Sequence, residues 1–510
     1  MASLLSLGIW SILLYSLYRI ANRLIHFNGY IRAAKASGIP YALAPVHHIS
    51  ILWLSLDGLL MPFIKKLPTG LTRNWINVVS GDWYWTHRYT PFKNMGSDTF
   101  LVVDPWGICM YTCDADVIAQ TTMRRNDFPK PIEIYKAVDI YGKNVVTLEG
   151  HEWRRHRKIT APPFTEKNNH LVWTESLFQT QTMLSSWVGK NDEKDGRTET
   201  PGKDTMRLSL HVISRAGFDV RCLWPGVNDD DEEAIRNGAM TVKKIPEGHD
   251  MSYVGSMENL LHLIGAIILL PGWLLRTLPV KTLNTAEQSY REWGVYMREM
   301  LESKKKELSS TRGDITNEHG LDLMGAMIKG SGILSNSHTN EKHVKTANGD
   351  ITKVASGSGL TQDEIMGNAF VFMLAGHETA ANVIHFSLVF LAMQPSTQRH
   401  LQQSLDDALP SPDPKTWDYD RDLPHLFGGM TGAVMNETLR LIPPVLSIPK
   451  SVTVEKDQPI NINGKQCLAP KGAFLSLTAA AAHRNPKYWP AGRPRAVSYT
   501  HLTLPTILRV

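Results

Sequence analysis

The chain has 510 residues, more than one ordinary globular core needs, although a large helical enzyme of this size can form one compact unit. Its 43% hydrophobic and 20% charged residues exclude a disordered protein, and a net charge of +5 is too small to indicate nucleic-acid binding. The cysteines show no paired CxxC spacing, which indicates a reduced, cytosol-facing protein without a cysteine-based zinc motif: Cys109, Cys113, Cys222 and Cys467.

The N-terminus contains an uncharged apolar run from Leu4 to Tyr18, followed by Arg19, Arg23 and further basic residues. This order predicts a single membrane anchor over residues 1–27 with its basic flank on the cytosolic side. The run is shorter than the roughly 20 residues of a spanning helix, so a cleaved signal peptide is the alternative. Such a peptide usually has positive charge before the run and a cleavage site of small residues after it, and neither is present.

A second apolar stretch, from Ile51 to Ile64, contains Asp57 and ends at Lys65 and Lys66. It predicts an interfacial or buried helix rather than a second membrane span.

The rest of the chain has mainly helical periodicity. Apolar residues recur at helical spacing from Trp173 to Trp187 and from Ala286 to Leu308, whereas the polar stretch from Ser309 to Gly359, around an apolar island at 321–328, predicts a surface loop or flexible insertion. Short alternating segments predict strands at Phe100–Val103, Ser451–Val454, Ile460–Ile462 and Ala473–Leu477. The predicted fold class is therefore mainly α with a small β-sheet (α+β).

A dense basic segment, His151 to Lys158, lies on a predicted helix. Trp153 and Arg157 are four residues apart and therefore share one face of that helix. The simplest interpretation is a solvated cationic surface.

The longest predicted helix begins at the capping box Thr361–Glu364 and runs until Pro395. Its centre reads Ala375-Gly376-His377-Glu378-Thr379, which places a glycine and polar groups inside an apolar helix. One interpretation is close helix packing at Gly376 and a Thr379 hydroxyl that donates to the Ala375 carbonyl. A zinc motif is excluded, because the second histidine of HExxH would fall at Ala381.

Another helix carries Glu437 and Arg440, three residues apart on one face, and ends before Pro443 and Pro444. An arbitrary pair of this kind would be a weak surface ion pair.

These motifs, with the segment Ala482–Pro490 (AHRNPKYWP), occur in the order found in the cytochrome P-450 family, which the chain resembles over roughly residues 150–490. The resemblance implies that the segment from Ala375 to Thr379 forms an oxygen-binding groove, with Thr379 as the proton-relay hydroxyl and Glu378 as its acidic neighbour. It implies that Trp153 and Arg157 bind a haem propionate, that Lys450 stands where relatives have a propionate-binding arginine, and that Glu437 and Arg440 form a structural ion pair beneath the haem.

The same resemblance implies a haem-thiolate monooxygenase with haem b as cofactor and an apolar small molecule as substrate. Electrons would come from NADPH through a flavoprotein reductase, the NADPH-cytochrome reductase, and Arg154, Arg155 and Lys158 could face this acidic partner. The expected location is the endoplasmic reticulum membrane, with the catalytic domain, residues 28–496, facing the cytosol.

The sequence departs from the family after Ala496. The loop whose cysteine ligates the haem iron is absent, and residues 497–506 (VSYTHLTLPT) match the translation of a transposase-type sequencing adapter. We therefore expect residues 497–510 to be an artefact, the native C-terminal part to be missing, and no cysteine of this chain to serve as the metal ligand. A natural divergent tail is the alternative.

Two other functions stay open at this point. One is a catalytically dead, membrane-bound haem- or lipid-binding relative. The other is a helical hydrolase, which is disfavoured because the sequence has neither a GxSxG nor an HExxH motif.

Overall fold

The computed structural model describes residues 2–72, 75–189, 196–310, 322–333, 344–345, 351–352 and 359–490. The chain forms two compact units: unit 1 comprises residues 1–131 and 431–510, and unit 2 comprises residues 132–430. Helices predominate, and the larger sheet lies in unit 1. The predicted combination of a helical body and a small sheet is confirmed.

The described elements of the N-terminal part of unit 1 are α1 (Ala2–Ser37), β1 (Tyr41–Leu43), α2 (Ile51–Ile64), α3 (Thr69–Thr72), α4 (Ile76–Val79), α5 (Trp83–Thr86), α6 (Thr90–Met95), β2 (Thr99–Asp104), β3 (Gly107–Thr112) and α7 (Ala115–Met123).

The described elements of unit 2 are α8 (Ile132–Tyr135), α9 (Gly150–Thr160), α10 (Glu166–Val188), α11 (Pro201–Phe218), α12 (Glu232–Arg236), α13 (Tyr253–His262), α14 (Ile264–Leu269), α15 (Gly272–Thr277), α16 (Lys281–Ser310), α17 (Leu323–Ser331), β4 (Val344–Lys345), β5 (Ile351–Thr352), α18 (Gln362–Met393), α19 (Pro395–Ala408) and α20 (Tyr419–Gly428).

The C-terminal part of unit 1 contains α21 (Met430–Leu441), β6 (Ile448–Ser451), β7 (Gln458–Ile462), β8 (Lys465–Ala469), β9 (Phe474–Leu477) and α22 (Ala479–Ala482).

The main sheet of unit 1 has the strand order β1-β2-β3-β9-β6, and β7 pairs with β8 in a separate hairpin. All six residues of β2 are buried, because core clusters cover both faces of the sheet. The antiparallel β2–β3 pair has the register Val102↔Cys109 and Asp104↔Gly107. This register places the side chains of Asp104 and Cys109 on the same face, since side chains alternate along each strand.

The predicted strands differ from the observed ones in two ways. The strand expected at Ser451–Val454 is observed earlier, at Ile448–Ser451, and Val454 is 78% exposed beyond the sheet. The strands β1, β4 and β5 were not predicted. Neither were β3 and β8, although each of these two completes a hairpin with a strand that was predicted. Their pairing partners, rather than a strong alternation of their own, place them in the sheets.

Unit 2 is built around a core shared by several helices, among them α11, α13, α16, α17 and α18. Helix α17 corrects the prediction for residues 309–359. The apolar island is not part of a surface loop: Met324, Met327 and Ile328 are buried in this core. Much of the remaining polar stretch lies outside the described residues.

The N-terminal helix α1 continues past residue 27 to Ser37. Within the part of the chain that the structure describes, no helix combines the length and the apolar character needed to cross a bilayer. The predicted spanning helix is therefore not supported. The apolar run of α1 would rise only about 22 Å before Arg19, whereas a bilayer core is about 30 Å thick.

Candidate functional site

Helix α18 carries the predicted oxygen-binding segment and begins with the predicted capping box. The Thr361 hydroxyl accepts from the Glu364 N–H at 3.2 Å, and the Glu364 carboxylate accepts from the Thr361 N–H at 2.9 Å. After the exposed Gln362 and Asp363, the residues from Glu364 to Val371 are all buried, and exposed positions reappear from Ala375 onward.

The side chains of the central segment point in different directions. Ala375 and Glu378 are exposed, and Thr379 is half-buried. The Thr379 hydroxyl donates to the Ala375 carbonyl at 2.7 Å, as the packing interpretation predicts. Its oxygen keeps lone pairs that can accept a further hydrogen bond.

His377 lies on the other side of α18 and is buried against α11, where its ring donates a hydrogen bond to the Met206 backbone carbonyl. Burial lowers the pKa of His377 to about 4, against the smaller opposing effect of that hydrogen bond. The ring is therefore neutral near pH 7. Of the two polar groups that the sequence places at the centre of the helix, Glu378 is exposed and His377 belongs to the interior.

Gly376 faces Ile213 of α11. A Cβ atom at this position would lie 3.3 Å from Ile213 Cδ1, so the glycine does permit a close approach of the two helices.

Helix α9 presents Trp153 half-buried and Arg157 exposed. The neighbouring residues Arg155 and His156 point toward the start of α18. Arg155 donates to both carboxylate oxygens of Glu364, at 2.5 and 2.9 Å, and to the Gly359 carbonyl at 2.6 Å.

The ion pair of Arg155 corrects the prediction that this residue faces an electron donor. Its side chain is only 14% exposed, because the guanidinium joins α9 to α18. Arg154 and Lys158 are exposed, as a docking surface requires.

In unit 1, Glu437 and Arg440 of α21 form a two-point ion pair, with N–O distances of 2.6 and 2.7 Å. Arg440 also donates to the His483 carbonyl at 2.9 Å, and its guanidinium lies 4.8 Å from the centre of the Trp489 ring. The pair therefore connects α21 to the segment Ala482–Pro490, so two motifs that the sequence shows separately are in contact. The role of this pair beneath a haem stays a prediction.

Lys450 lies on β6, where its ammonium donates to the Phe128 carbonyl at 3.1 Å. The predicted site residues thus divide between the units: Trp153, Arg157, Ala375, Gly376, Glu378 and Thr379 belong to unit 2, and Lys450, Glu437 and Arg440 belong to unit 1. Their assignments as cofactor-binding and catalytic residues remain predictions.

Sequence reasoning missed Glu364 and Asn368 as contacts of α9. Asn368 lies 3.0 Å from His156 Nδ1 and also receives the Val145 N–H at 2.9 Å. The sequence identifies Glu364 only as a capping residue, and no pattern in it pairs this residue with an arginine 209 positions earlier.

The four cysteines of the chain are all buried and unbridged. Burial raises the pKa values of Cys109 and Cys113, and raises that of Cys222 to about 12. The Cys467 thiol donates to the Gly38 carbonyl at 3.6 Å. Each of the four therefore lies in the interior, and none is presented on a loop as an exposed thiolate.

Comparisons with known proteins place this fold. A family model described as Cytochrome P450 matches residues 97–496. A cytochrome P450 monooxygenase of Arthrobotrys oligospora is 30% identical over 90% of this chain and 74% of its own length, and one of Penicillium roqueforti is 31% identical over 96% and 80%. The heme domain of cytochrome P450DA aligns with a TM-score of 0.53 at 18% identity, covering 80% of this chain and 74% of that chain, which shows the common fold.

The architecture and these matches define a haem-protein fold whose relatives are monooxygenases. The chain belongs to the cytochrome P450 family.

Membership of this family implies a haem cofactor. The residues present do not fit the group completely, because an axial thiolate has to be deprotonated and directed at the iron. Cys109 lies on a strand inside one core cluster and Cys222 lies inside another, so neither thiol is directed at an open site where an iron macrocycle could bind.

Proposed function

We propose that this protein's fold serves haem-dependent monooxygenation of an apolar small molecule, and that the chain as printed does not perform it. The observation that carries the first part is the family match over residues 97–496 together with the glycine- and threonine-containing segment at the centre of α18. The second part is supported by the four buried cysteines, none of which can readily act as an axial ligand.

In this proposal Thr379 and Glu378 hold and move protons on the exposed side of α18. The exposure of Glu378 allows its carboxylate to exchange protons with water, and the Thr379 hydroxyl can pass a proton while its oxygen accepts another. Ala375, one turn before Thr379, keeps this side of the helix free of a bulky side chain, and Gly376 lets the helix pack closely against α11.

Trp153 and Arg157 are proposed to bind a propionate group. The exposed guanidinium of Arg157 offers the planar, two-point donor geometry that carboxylates favour. Lys450 provides a positive charge but cannot make the same two-point contact.

Electrons are proposed to come from NADPH through a flavoprotein reductase that contacts the exposed Arg154 and Lys158 of α9. An attraction between exposed charges is screened by salt. Reduction of an active form should therefore slow as ionic strength rises, and a salt-independent rate would contradict this contact.

The test compares two purified proteins, one with the printed sequence and one in which the residues after Ala496 are replaced by those encoded in genomic DNA. Each is reconstituted with haem, reduced and exposed to carbon monoxide. The printed chain is expected to lack the red-shifted absorption band of thiolate-ligated ferrous haem, and the genomic version to show it.

A band from the printed chain would overturn the proposed inactivity, and Cys→Ser substitutions at the four cysteines would then identify the ligand. If the genomic sequence reproduces residues 497–510, the predicted artefact is wrong. If it differs but the protein gives no band, the proposed monooxygenase function is wrong.

A further inference from the structure

A group of potential metal ligands lies at the end of the β2–β3 hairpin in unit 1, separate from the residues assigned above. It consists of His48, Asp104 and Cys109, which we call the hairpin triad. Their potential ligand atoms all lie within 4.8 Å of one another. The three residues are 4%, 0% and 1% exposed.

The hairpin register explains two members of the triad. Asp104 pairs with Gly107 and Val102 with Cys109, so Asp104 and Cys109 are diagonal neighbours on one face of the sheet. His48 comes from the segment between β1 and α2, and its Nε2 is hydrogen-bonded to the hydroxyl of Tyr111, two residues beyond Cys109 on β3.

The surrounding groups orient the triad as they would orient metal ligands. Asp104 Oδ1 accepts the N–H groups of Trp106 and Gly107 at 2.7 and 3.0 Å, which fixes the carboxylate. Its Oδ2 faces His48 Nδ1 and also lies 3.0 Å from His47 Nδ1. Ligating carboxylates and imidazoles are typically held by second hydrogen bonds of this kind.

His48 Nδ1 carries the main argument. It has no hydrogen-bond partner among the described residues although the ring is buried, and it lies 3.8 Å from Asp104 Oδ2. The contact between Nε2 and the Tyr111 hydroxyl can be made with either group as donor, and in the tautomer in which Nε2 donates, the lone pair of Nδ1 faces a carboxylate oxygen with no proton between them. Buried polar atoms seldom lack a hydrogen-bond partner. A cation bound between His48 Nδ1 and Asp104 Oδ2 satisfies both atoms and removes the repulsion between their lone pairs.

We propose that His48 Nδ1, Asp104 Oδ2 and Cys109 Sγ bind a Zn²⁺ ion. Nitrogen, oxygen and thiolate sulfur are ligands that zinc accepts together, whereas Mg²⁺ and Ca²⁺ require oxygen. Two ligands about 2.0–2.1 Å from one tetrahedral ion are about 3.4 Å apart, so the observed 3.8 Å requires a shift of only a few tenths of an ångström.

Charge balance supports the same ion. A carboxylate, a thiolate and Zn²⁺ sum to zero, so the loaded site places no net charge in the core. Cys109 loses its proton to solvent when the metal–sulfur bond forms.

Three protein ligands leave a fourth position for a water molecule. His47 lies beside the hairpin triad, with Nδ1 3.0 Å from Asp104 Oδ2 and its side chain 27% exposed. The ion can therefore reach the triad from the side of His47.

The test uses the full chain, freed of metal by dialysis against a chelator and then titrated with Co²⁺ and with Zn²⁺. One equivalent of Co²⁺ should give a thiolate-to-cobalt charge-transfer band in the near ultraviolet, and Zn²⁺ should abolish this band. Cys109→Ser should lack the band. Cys113→Ser is the matched control, because it removes another buried thiol just after the same strand, and it should retain the band.

Tyr111→Phe should weaken Zn²⁺ binding about 10–100-fold through the loss of the hydrogen bond to His48.

A parent protein without the charge-transfer band, or a Cys109→Ser variant that keeps it, would overturn the site. If Cys109→Ser does not fold, as judged by circular dichroism, the pH dependence of the parent decides. Release of one thiol proton requires the apparent Zn²⁺ affinity to rise about tenfold per pH unit near neutrality. A flat dependence would refute the proposal.

Discussion

Arg155 shows how a single side chain can be assigned to the wrong surface from sequence. In the run from Arg154 to Lys158 every basic residue is an equal candidate for contact with solvent. The structure directs Arg155 inward, where its guanidinium binds Glu364, and leaves Arg154 exposed. Only the packing of α9 against the start of α18 makes this distinction.

Replacement of Arg155 by Ala should lower the free energy of unfolding by about 3 kcal/mol, because it leaves the Glu364 carboxylate largely buried without its partner. Urea-induced unfolding followed by circular dichroism measures this change. Arg154→Ala, on the exposed side of the same helix, is the control and should change stability by less than about 0.5 kcal/mol.

The effect of Arg155→Ala should also depend on pH. Burial raises the pKa of Glu364, but the hydrogen bonds from Arg155 and Thr361 outweigh it and lower the pKa from 4.5 to about 2. The stability that the pair contributes is present above pH 4.5 and is lost as the pH falls toward 2. An equal difference between parent and variant at pH 7 and pH 3 would contradict the assigned ion pair.

Helix α18 contains two glycines that the sequence presents as equivalent interruptions. Gly376 lies in the segment with the polar residues His377 and Glu378. A Cβ atom at Gly376 would contact only the terminal methyl group of the Ile213 side chain, at 3.3 Å, and this group can change its rotamer. A Cβ atom at Gly367 would lie 2.3 Å from the carbonyl oxygen of Gly142. This oxygen belongs to the backbone, so a side-chain rotation cannot relieve the clash. The closer approach therefore occurs nine residues before the predicted one.

We expect Gly367→Ala to destabilise the protein by about 3 kcal/mol or more, because the backbone must move to admit the methyl group. Gly376→Ala should be close to neutral, since the gain of about 1 kcal/mol in helix propensity offsets the displacement of Ile213. Thermal and urea unfolding of the two variants measure this contrast. Equal effects of both substitutions would show that the helix is not held against the segment at Gly142.

At the scale of the whole molecule, titratable groups without a charged partner lie inside the cores. His211 is 0% exposed, with Nδ1 3.1 Å from Gln179 Oε1. Burial, together with the charge of Arg207, lowers its pKa from 6.5 to about 3. His377 is buried in the same unit with a pKa lowered to about 4. Both rings fold in the neutral form.

The unfolded chain binds protons at these histidines below pH 6.5, and the folded chain does not until the pH is near 3–4. Their contribution to stability is therefore complete above pH 6.5 and is lost as the pH falls toward 3. His211→Asn keeps a donor for Gln179 but cannot titrate. The unfolding free energy of His211→Asn and of the parent is measured from pH 8 to pH 4. Below pH 6.5 the value for the variant should decline less steeply than that for the parent, and above pH 6.5 the two curves should be parallel. Parallel curves over the whole range would contradict a neutral, buried His211.

The sequence by itself determined the features that depend on neighbours in the chain. The capping box at Thr361, the length of α18, the bounds of α2, the Thr379–Ala375 hydrogen bond and the spacing of Glu437 and Arg440 follow from local geometry over a few residues. The order of the family motifs also gave the fold class, because each motif occurs in a particular element of that fold.

Only the tertiary structure decided which side chains meet across long separations. The contact of Arg155 with Glu364, the burial of α17, the pairing of β3 and β8, and the assembly of His48 with Asp104 and Cys109 join residues that no spacing rule connects. Periodicity reports which side of an element is apolar, but the partner of that side is set by the global packing of helices and strands. For that reason the elements were largely predictable and their contacts were not.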